Sequence, residues 1–388
     1  MSDGYFSAHA IIAYIFAIIG AITTRPLMPY LTGLKEHEVP AISIGVLIYA
    51  SVVASIILVV ASLFSESITR FILWGATDNR LSLTRELLDF MAWSAAPFAL
   101  SSTFQAYGQY EGRFVKVELI CIGSHTVSIL TLLIVATPIE AIGWSFLARY
   151  LVRAFLMAEM FPWQKVSSVD WKQAWQLTKP FVMKTTVLIG SSSFYKLMGV
   201  LDVFVTSFLV EGSLSLIKTI QFIYSGLITV FNRSYFTPFV RGLALERGKL
   251  RRSFSTSLTE KLPRIVVLAL VTGASVSVAL SLLTKFEIIP SGNVSQTQII
   301  VYSMILALSL IGDAWGNACT SLFYAQGDMT TPTKIGVIGM LIAISHKYSL
   351  SMWLGGGGVV VSTALHYLGN AVVLHSQLGK VRDDNSKI

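Results

Sequence analysis

Charged residues are scarce in this chain, and their scarcity excludes most soluble classes of protein. Asp, Glu, Lys and Arg make up 13% of the 388 residues, whereas apolar residues make up 54% and the mean hydropathy is +0.67. A soluble domain carries about 25% charged residues. The two cysteines, Cys121 and Cys319, both lie in apolar segments, so the sequence implies neither a disulfide framework nor a thiolate metal site.

Motifs of catalysis and nucleotide binding are also missing. The chain has no Walker loop, no G-x-S-x-G, no H-E-x-x-H and no dinucleotide fingerprint. We therefore expect a protein that is not an enzyme, does not hydrolyse ATP directly and binds no cofactor. Basic residues outnumber acidic ones by 29 to 21, and basic groups at cytoplasmic helix ends explain this excess better than nucleic acid binding does.

What the sequence has instead is a series of long apolar blocks. Most contain about 20 residues or more, enough to cross a hydrocarbon core of about 30 Å. Because only helices and closed barrels satisfy their backbone hydrogen bonds in lipid, blocks of this length predict helices. We predict an all-α integral membrane protein with about eleven spanning helices. They lie near residues 8–30, 41–63, 86–108, 114–136, 140–161, 178–209, 213–240, 262–284, 298–325, 334–353 and 356–378.

Basic residues predict how these helices are oriented. The loop at 241–264 holds seven Lys or Arg residues, and alternate loops are also basic, which is typical of loops on the cytoplasmic side. We therefore expect a multi-pass protein of the cytoplasmic (inner) membrane with its C-terminus in the cytoplasm. An odd number of spans then places the N-terminus outside. Residues 1–10 contain no Lys or Arg and lack the basic region of a cleavable signal peptide.

One polar stretch divides the apolar blocks into two groups. In residues 162–180, Trp171 and Trp175 indicate an amphipathic segment at the membrane interface. We predict an N-terminal bundle of about five spans over residues 1–162, an interfacial linker over 163–179 and a C-terminal bundle of about six spans over 180–388.

Three stretches of the sequence resemble one family of membrane proteins. The first is FYAQGDMTTPTK at 323–334, where a polar turn ends one apolar segment and Pro332 starts the next. The second is LGGGG at 354–358 with STAL at 362–365, and the third is SFLVEGSLS at 207–215. Together they are similar to the MviN-like (MurJ-type) lipid II flippases of the multidrug/oligosaccharidyl-lipid/polysaccharide exporter superfamily.

The resemblance implies two helix bundles that form a V around a central cavity, which opens to each side of the membrane in turn. The chain also departs from the family. It starts at what resembles the second helix of the family, and the arginines early in that helix are replaced around residues 13–15. Asn317 stands where these flippases often carry Lys, and Asp313 lies one turn earlier. These departures leave the identity of the transported saccharide open.

Charged side chains inside the apolar segments are the candidate site residues. An ionisable group in a spanning helix is costly and usually faces a cavity or a partner. A polyprenyl diphosphate headgroup is anionic, and basic side chains that line a wet cavity replace the hydration that it loses. We predict that Lys184, Lys196 and Lys218 bind this headgroup and that Arg25 supports them.

Two acidic residues complete the predicted site. Asp202 follows Lys184 by 18 residues, which is five full turns, so the two share a helix face. Asp202 is also expected at the depth of Lys218 on the next helix, where the two can pair. We predict that Asp202 or Asp313 either couples transport to a cation or holds a neighbouring lysine in place.

Two further arginines, Arg149 and Arg153, are one turn apart on a helix that the resemblance places at the periphery. A role in snorkelling to the interface or in joining helices is at least as well supported for them as substrate binding. The histidines of the chain show no metal-ligand spacing, so no metal site is predicted.

These observations predict a flippase that moves a polyprenyl-diphosphate-linked saccharide, lipid II or another cell-envelope glycan precursor, by alternating access. Its expected partners are this substrate, membrane lipids, Na⁺ or H⁺ as coupling ion, and glycan synthesis enzymes. Two alternatives stay open: a cation-coupled exporter of small amphiphiles, which would favour an acidic cavity, and a transport-inactive scaffold for glycan synthesis. A membrane glycosyltransferase would need an outer loop rich in acidic or metal-binding residues, and residues 64–85 lack such a cluster.

Overall fold

The computed structural model describes residues 2–31, 34–166, 171–231, 270–282, 295–325 and 330–384, together with positions 266, 267, 285 and 328. Every regular element within these residues is a helix. The side chains of some helical residues, among them Arg25, Lys184 and Lys196, lie outside the description. The prediction of an all-α chain is confirmed for the part described.

Thirteen helices are bounded within the described residues. They are α1 Ser2–Ile22, α2 Thr24–Leu31, α3 Val39–Ile72, α4 Asp78–Ala92, α5 Ala95–Tyr110, α6 Phe114–Ile134, α7 Pro138–Ala158, α8 Trp163–Val166, α9 Trp171–Thr206, α10 Ser213–Phe231, α11 Gln296–Ala325, α12 Thr330–Leu354 and α13 Gly356–Asp384. A shorter apolar helix, Leu270–Leu282, precedes α11. Seven helices of the described part, α1, α3, α6, α7, α11, α12 and α13, are long and apolar enough to cross a membrane.

Two of the predicted spans are interrupted by turns. The span at 8–30 comprises α1 and α2, which meet at Thr23, and the span at 86–108 comprises α4 and α5, which meet at Trp93 and Ser94. Pro26 and Pro97 are each the third residue of the second helix. Because the first N–H groups of a helix have no partner within it, proline is tolerated there and not one turn further on. Proline therefore sets both breaks.

Helix α3 is longer than predicted. It has 34 residues instead of the span at 41–63, and at 1.5 Å per residue it is about 51 Å long. Its last turns carry Glu66, whose carboxylate accepts hydrogen bonds from Arg70 on the same helix and from Arg85 on α4, each at 2.9 Å. These three side chains are about half exposed or more, so the end of α3 reaches a polar environment.

The linker predicted at 163–179 is divided between two helices. Residues 163–166 form the short α8, whereas residues 171–179 belong to α9, which continues through Pro180. Trp171 and Trp175 are more than half exposed at the start of α9. The chain separates into two compact units, Asp3–Val203 and Phe204–Ile388, and the predicted bundle boundaries at 162 and 180 stay a prediction.

In the first unit, helix α1 packs against α4, α5 and α7. Ile12 and Ile19 are fully buried in this cluster. The Phe16 ring stacks on Phe98 of α5 with centroids 4.2 Å apart, and it meets the Tyr150 ring of α7 edge-on at 5.0 Å. Apolar and aromatic contacts therefore hold α1 inside the unit, whereas α6 exposes most of its apolar side chains, as contact with lipid requires.

In the second unit, glycines bring α11 and α13 close together. Gly312 and Gly316 have the spacing of a G-x-x-x-G motif, and a Cβ at Gly312 would overlap the backbone of Tyr367 on α13. Helices in lipid associate without a hydrophobic driving force, so they depend on small residues that let backbones approach. The backbone contact at Gly312 therefore fixes how α11 crosses α13.

The glycine-rich stretch at 354–358 forms a very short connection between α12 and α13. Helix α12 ends at Leu354, Gly355 adopts a φ of +58°, and α13 begins at Gly356. Glycine adopts this left-handed conformation without the steric cost of a Cβ. A Cβ at Gly358 would overlap the backbone around Leu350, so this position requires glycine as well. The short gap predicted between the spans at 334–353 and 356–378 is confirmed, and it consists of a single residue.

The polar turn at Asp328 caps helix α12. The Asp328 Oδ1 atom accepts hydrogen bonds from the N–H groups of Thr330 and Thr331, both at 3.0 Å. The N–H group of Thr331 is the main reason why the pKa of the Asp328 carboxyl lies below its ordinary value, and the positive charge of Lys334 lowers it further. Pro332 is buried in the first turn of the helix, as the sequence predicted.

Removing this cap tests its contribution to stability. Asp328→Ala is expected to lower the free energy of unfolding at neutral pH by about 1 kcal/mol, since two N–H groups lose their acceptor. Because the folded-state pKa is lowered, the stabilisation is present above the ordinary carboxyl pKa and is lost as the pH falls through the lowered pKa. Thermal unfolding of the purified protein at several pH values measures both effects. Asp328→Asn keeps an acceptor oxygen but cannot titrate, so a difference from wild type that is independent of pH would contradict the explanation.

The helix contact at Gly312 is tested by adding one methyl group. Gly312→Ala is expected to destabilise the protein by about 1–3 kcal/mol, because the new Cβ cannot fit against the backbone of α13. Gly369→Ala on α13 is the matched control, since a Cβ there meets nothing within 4 Å. Thermal unfolding of both variants measures the difference, and equal stability of the two would contradict the close packing.

Candidate functional site

Lys218 is a buried lysine on α10. Its side chain is 7% exposed, and its Nζ atom donates a hydrogen bond to Gln221 Oε1 at 2.9 Å. Gly212, with a φ of +93°, ends the turn immediately before the helix, which begins at Ser213. One turn beyond Gln221, the Tyr224 hydroxyl donates to the Ser303 carbonyl of α11 at 2.7 Å, which fixes the rotation of α10. Lys218 is therefore held at a defined position inside the second unit.

Asp202 is a buried carboxylate near the end of α9. It is 3% exposed and lies four residues before the helix ends at Thr206. Lys184 lies on the same uninterrupted helix, so the 18-residue spacing places the two residues on one face, as predicted. Asp202 belongs to the first unit and Lys218 to the second, and their pairing stays a prediction.

Asp313 lies on α11 beside the glycine contact with α13. It is half-buried, and its Oδ1 atom accepts a hydrogen bond from Asn317 Nδ2 at 2.8 Å. Asn317 is the residue that stands where the resembling family often carries Lys. In this chain an amide takes that place and hydrogen-bonds the acid one turn earlier. A role of Asp313 in cation coupling stays a prediction.

Three of the predicted headgroup residues are placed only by their backbone. Arg25 lies on α2, and Lys184 and Lys196 lie on α9, but their side chains are outside the description. The basic loop at 241–264 also lies outside it. Among the residues that are described, no group of three or more His, Cys, Asp or Glu side chains is arranged to hold a metal ion.

Lys347 is a buried ionisable residue that the sequence analysis missed. Its side chain is fully buried on α12, seven residues before that helix ends at Leu354. It belongs to a stripe of buried positions with Met340, Ala343 and Ser351. The signal that would have found it is a lysine within an apolar segment, since the cost of such a charge marks substrate and ion pathways.

Side-chain hydrogen bonds join α12 to α13 around this lysine. The Nδ1 atom of His346 lies 2.6 Å from Ser362 Oγ. Farther along the pair of helices, His366 Nδ1 lies 3.3 Å from the Gly339 carbonyl oxygen, and Asn370 Nδ2 lies 3.2 Å from His366 Nε2. The family-like STAL stretch at 362–365 therefore contributes to a polar interface between the two helices.

Arg80 lies between the predicted spans at 41–63 and 86–108, but the structure places it on α4 as a buried residue. It is 6% exposed, its Nη1 atom is 3.8 Å from Asp3 Oδ2, and its Nη2 atom donates to Ser7 Oγ at 3.3 Å. Thr84 on the same helix hydrogen-bonds the Gly4 carbonyl at 3.4 Å. Burial of the start of α1 against α4 explains the difference, and it gives Arg80 a structural role.

Seven helices of the described residues are long and apolar enough to cross a membrane, and one of them buries Lys347, so the fold defines a multi-pass membrane protein. Solved structures of transporters share the fold. A lipid II flippase MurJ in an inward closed conformation matches with a TM-score of 0.73 and 17% identity, over 96% of this chain and 80% of that one. An inward-facing multidrug resistance MATE family transporter of the MOP superfamily matches with a TM-score of 0.71 and 12% identity, over 100% and 94% of the two chains.

A third structure with this fold is a MOP superfamily transporter from Pyrococcus furiosus, described as having a binding pocket of reverse polarity. It matches with a TM-score of 0.67 and 13% identity, over 100% of this chain and 92% of that one. No curated protein matches the chain in sequence.

The sequence matches the lipid II flippase MurJ family over residues 1–384, and the chain belongs to this family. It is therefore a flippase for a lipid-linked cell-envelope precursor and not an enzyme, and it is a multi-pass protein of the cytoplasmic membrane.

The buried charge of Lys347 is tested by an uncharged side chain of similar length. Lys347→Met is expected to fold but to lower transport at least about tenfold. Placing a lysine in a spanning helix costs about 2.5–3.5 kcal/mol, and packing alone does not require the charge, so we expect the charge to serve transport. Lys334→Met, at an exposed position of the same helix, is the matched control. Transport in reconstituted vesicles and thermal unfolding are measured together, and a more stable variant with unchanged transport would show that the charge has no role in transport.

Proposed function

We propose that this protein moves a polyprenyl-diphosphate-linked saccharide, lipid II or another cell-envelope glycan precursor, across the cytoplasmic membrane by alternating access. The observation that carries the proposal is the match to the lipid II flippase MurJ family over residues 1–384. The transporter fold supports it independently, since the match to the solved MurJ structure covers 96% of the chain.

The proposed headgroup site consists of Lys184, Lys196 and Lys218, with Arg25 in support. A diphosphate that leaves water loses its hydration shell. The free-energy cost of this loss is large unless fixed positive charges of the protein take the place of the water. Lys218 supports this role because it is a buried lysine whose Nζ atom is held by Gln221. The polyprenyl tail stays in the bilayer, and only the headgroup needs a polar route.

We further propose that Asp202 or Asp313 couples transport to Na⁺ or H⁺. Asp202 supports this role because it is a buried acid on the helix that carries Lys184 and Lys196. The proposed topology has the C-terminus in the cytoplasm and the N-terminus outside, because the basic loops then face the cytoplasm. Glycan synthesis enzymes are the proposed protein partners, since they make and consume the lipid-linked saccharide.

Export of small amphiphiles is the second candidate function. The fold of the MATE family transporters supports it, with a TM-score of 0.71 to the inward-facing example. The basic residues of the proposed headgroup site count against cationic drugs as substrates, because a site built from lysines suits an anion better. A transport-inactive scaffold is the third candidate, and the buried charges count against it because an inactive protein has no use for their cost.

Flipping of a labelled undecaprenyl-diphosphate saccharide in reconstituted vesicles tests the proposal. We expect wild type to flip it, and Lys196→Ala and Lys218→Ala each to lower the rate at least about tenfold, because each removes a cation from the proposed headgroup site. Lys285→Ala, at an exposed position, is the control.

The same vesicles loaded with a cationic dye separate the alternatives. Dye export without saccharide flipping would favour the exporter. Neither activity, in a folded protein and with several saccharides tried, would favour the scaffold and contradict the flippase.

A further inference from the structure

A pair of arginines in the first unit lies apart from the proposed headgroup site. Arg149 and Arg153 are one turn apart on the 21-residue helix α7, so they share a face. Arg149 follows the start of the helix at Pro138 by about 17 Å, at 1.5 Å per residue, which is near its middle. Both side chains are half-buried. Arg149 therefore lies well away from both ends of the helix.

Side chains from three helices surround the two guanidinium groups. Arg149 Nη2 lies 3.0 Å from His125 Nε2 on α6, and the Arg149 guanidinium carbon lies 5.0 Å from the centroid of the Tyr150 ring. Arg153 donates a hydrogen bond through Nη2 to Gln105 Oε1 on α5. Gln105 is buried, whereas His125 is exposed. The cluster therefore runs from the interior of the unit out to the surface of α6.

The cluster carries positive charge that the described part of the protein does not neutralise. Each ion pair among the described residues involves other side chains, so neither Arg149 nor Arg153 has a carboxylate partner there. The Nε atoms of both are buried, and they have no hydrogen-bond partner within the described structure. Like charges one turn apart on a helix repel each other, and a charge in a spanning helix is costly. An anion would relieve both costs.

We propose that Arg149 and Arg153 form a binding site for a phosphate-bearing headgroup. Guanidinium groups bind phosphate oxygens through paired N–H donors, and one phosphate can accept from both side chains. Because His125 is exposed and contacts Arg149, a headgroup would reach the arginines from the surface of α6 while its acyl or prenyl chain stays in lipid.

Phosphate of this kind has two sources in the membrane. One is the diphosphate of the lipid-linked saccharide, and this assignment rests on the proposed function. The other is the headgroup of an anionic phospholipid, which does not depend on it. The chemistry at the arginines is the same, so the two sources are separated by experiment.

Binding of undecaprenyl diphosphate and of phosphatidylglycerol to the purified full chain tests the site. Each lipid is titrated in a zwitterionic detergent and followed by native mass spectrometry. We expect Arg149→Gln combined with Arg153→Gln to weaken binding of at least one of the two lipids at least about tenfold. The matched control combines Arg70→Gln and Arg85→Gln, which removes the same charge from the exposed pairs with Glu66. It is expected to leave both affinities unchanged.

The pattern of loss identifies the source of the phosphate. Weaker binding of undecaprenyl diphosphate alone assigns the site to the substrate, weaker binding of phosphatidylglycerol alone assigns it to phospholipid, and weaker binding of both supports a site for either headgroup. Unchanged binding of both lipids to a folded double variant overturns the proposal and leaves the arginines as a link between α5, α6 and α7.

Two features keep the result interpretable. If the double variant does not fold, the single variants Arg149→Gln and Arg153→Gln replace it, and unchanged binding by both singles overturns the proposal equally. Binding is measured without transport, so a protein that binds these lipids but does not flip them contradicts the proposed function and not this site.

Discussion

Lipid offers no hydrogen bonds, and this constraint governs the protein at every level. Each backbone group in the membrane must find its partner in its own helix, which is why the described elements are all helices. Polar side chains must also find partners within the protein. Asn317 meets Asp313, His346 meets Ser362, and Gln105 meets Arg153. The Nε atoms of the two arginines of α7 are buried without a hydrogen-bond partner among the described residues, so the cost of their lost hydration is not offset there.

The helices of the two units are held together by different kinds of contact. The first unit encloses α1 with apolar and aromatic side chains, and one buried ion pair, Arg80 with Asp3, fixes its end. The second unit relies on close backbone contact at glycines and on hydrogen bonds between α12 and α13. Aromatic packing tolerates small changes of shape better than backbone contact does, because a glycine interface has no side chain that can move aside.

The sequence predicted the helices because hydropathy is a property of each segment alone. It also placed the turns at Gly355 and Asp328, since glycine and a capping aspartate have local effects. It missed the breaks at Thr23 and Trp93 although Pro26 and Pro97 were visible, because an apolar average over about 20 residues conceals a short turn. The extension of α9 through residues 171–179 was missed because these residues are polar.

The site was harder to predict than the fold. Lys347 is surrounded by apolar residues in the sequence, so the mean hydropathy of its segment does not reveal it. The position of Arg80 depends on Asp3, which lies 77 residues earlier in the chain, and no local pattern reports such a contact. His125 on α6 contacts Arg149, and Gln105 on α5 contacts Arg153. That neither arginine pairs with a carboxylate among the described residues could be seen only when these helices were placed beside α7.

The long helix α3 has a consequence for how α4 is attached. A helix of about 51 Å is longer than a hydrocarbon core of about 30 Å, and the end that carries Glu66 bears exposed charged side chains. Arg85 binds α4 to this exposed end, whereas Arg80 binds α4 to α1 in a buried environment. Dissolved ions screen exposed charges over about 8 Å at physiological ionic strength but reach buried pairs much less. A rise in ionic strength therefore weakens the attachment of α4 through Arg85 and Glu66 more than its attachment through Arg80 and Asp3.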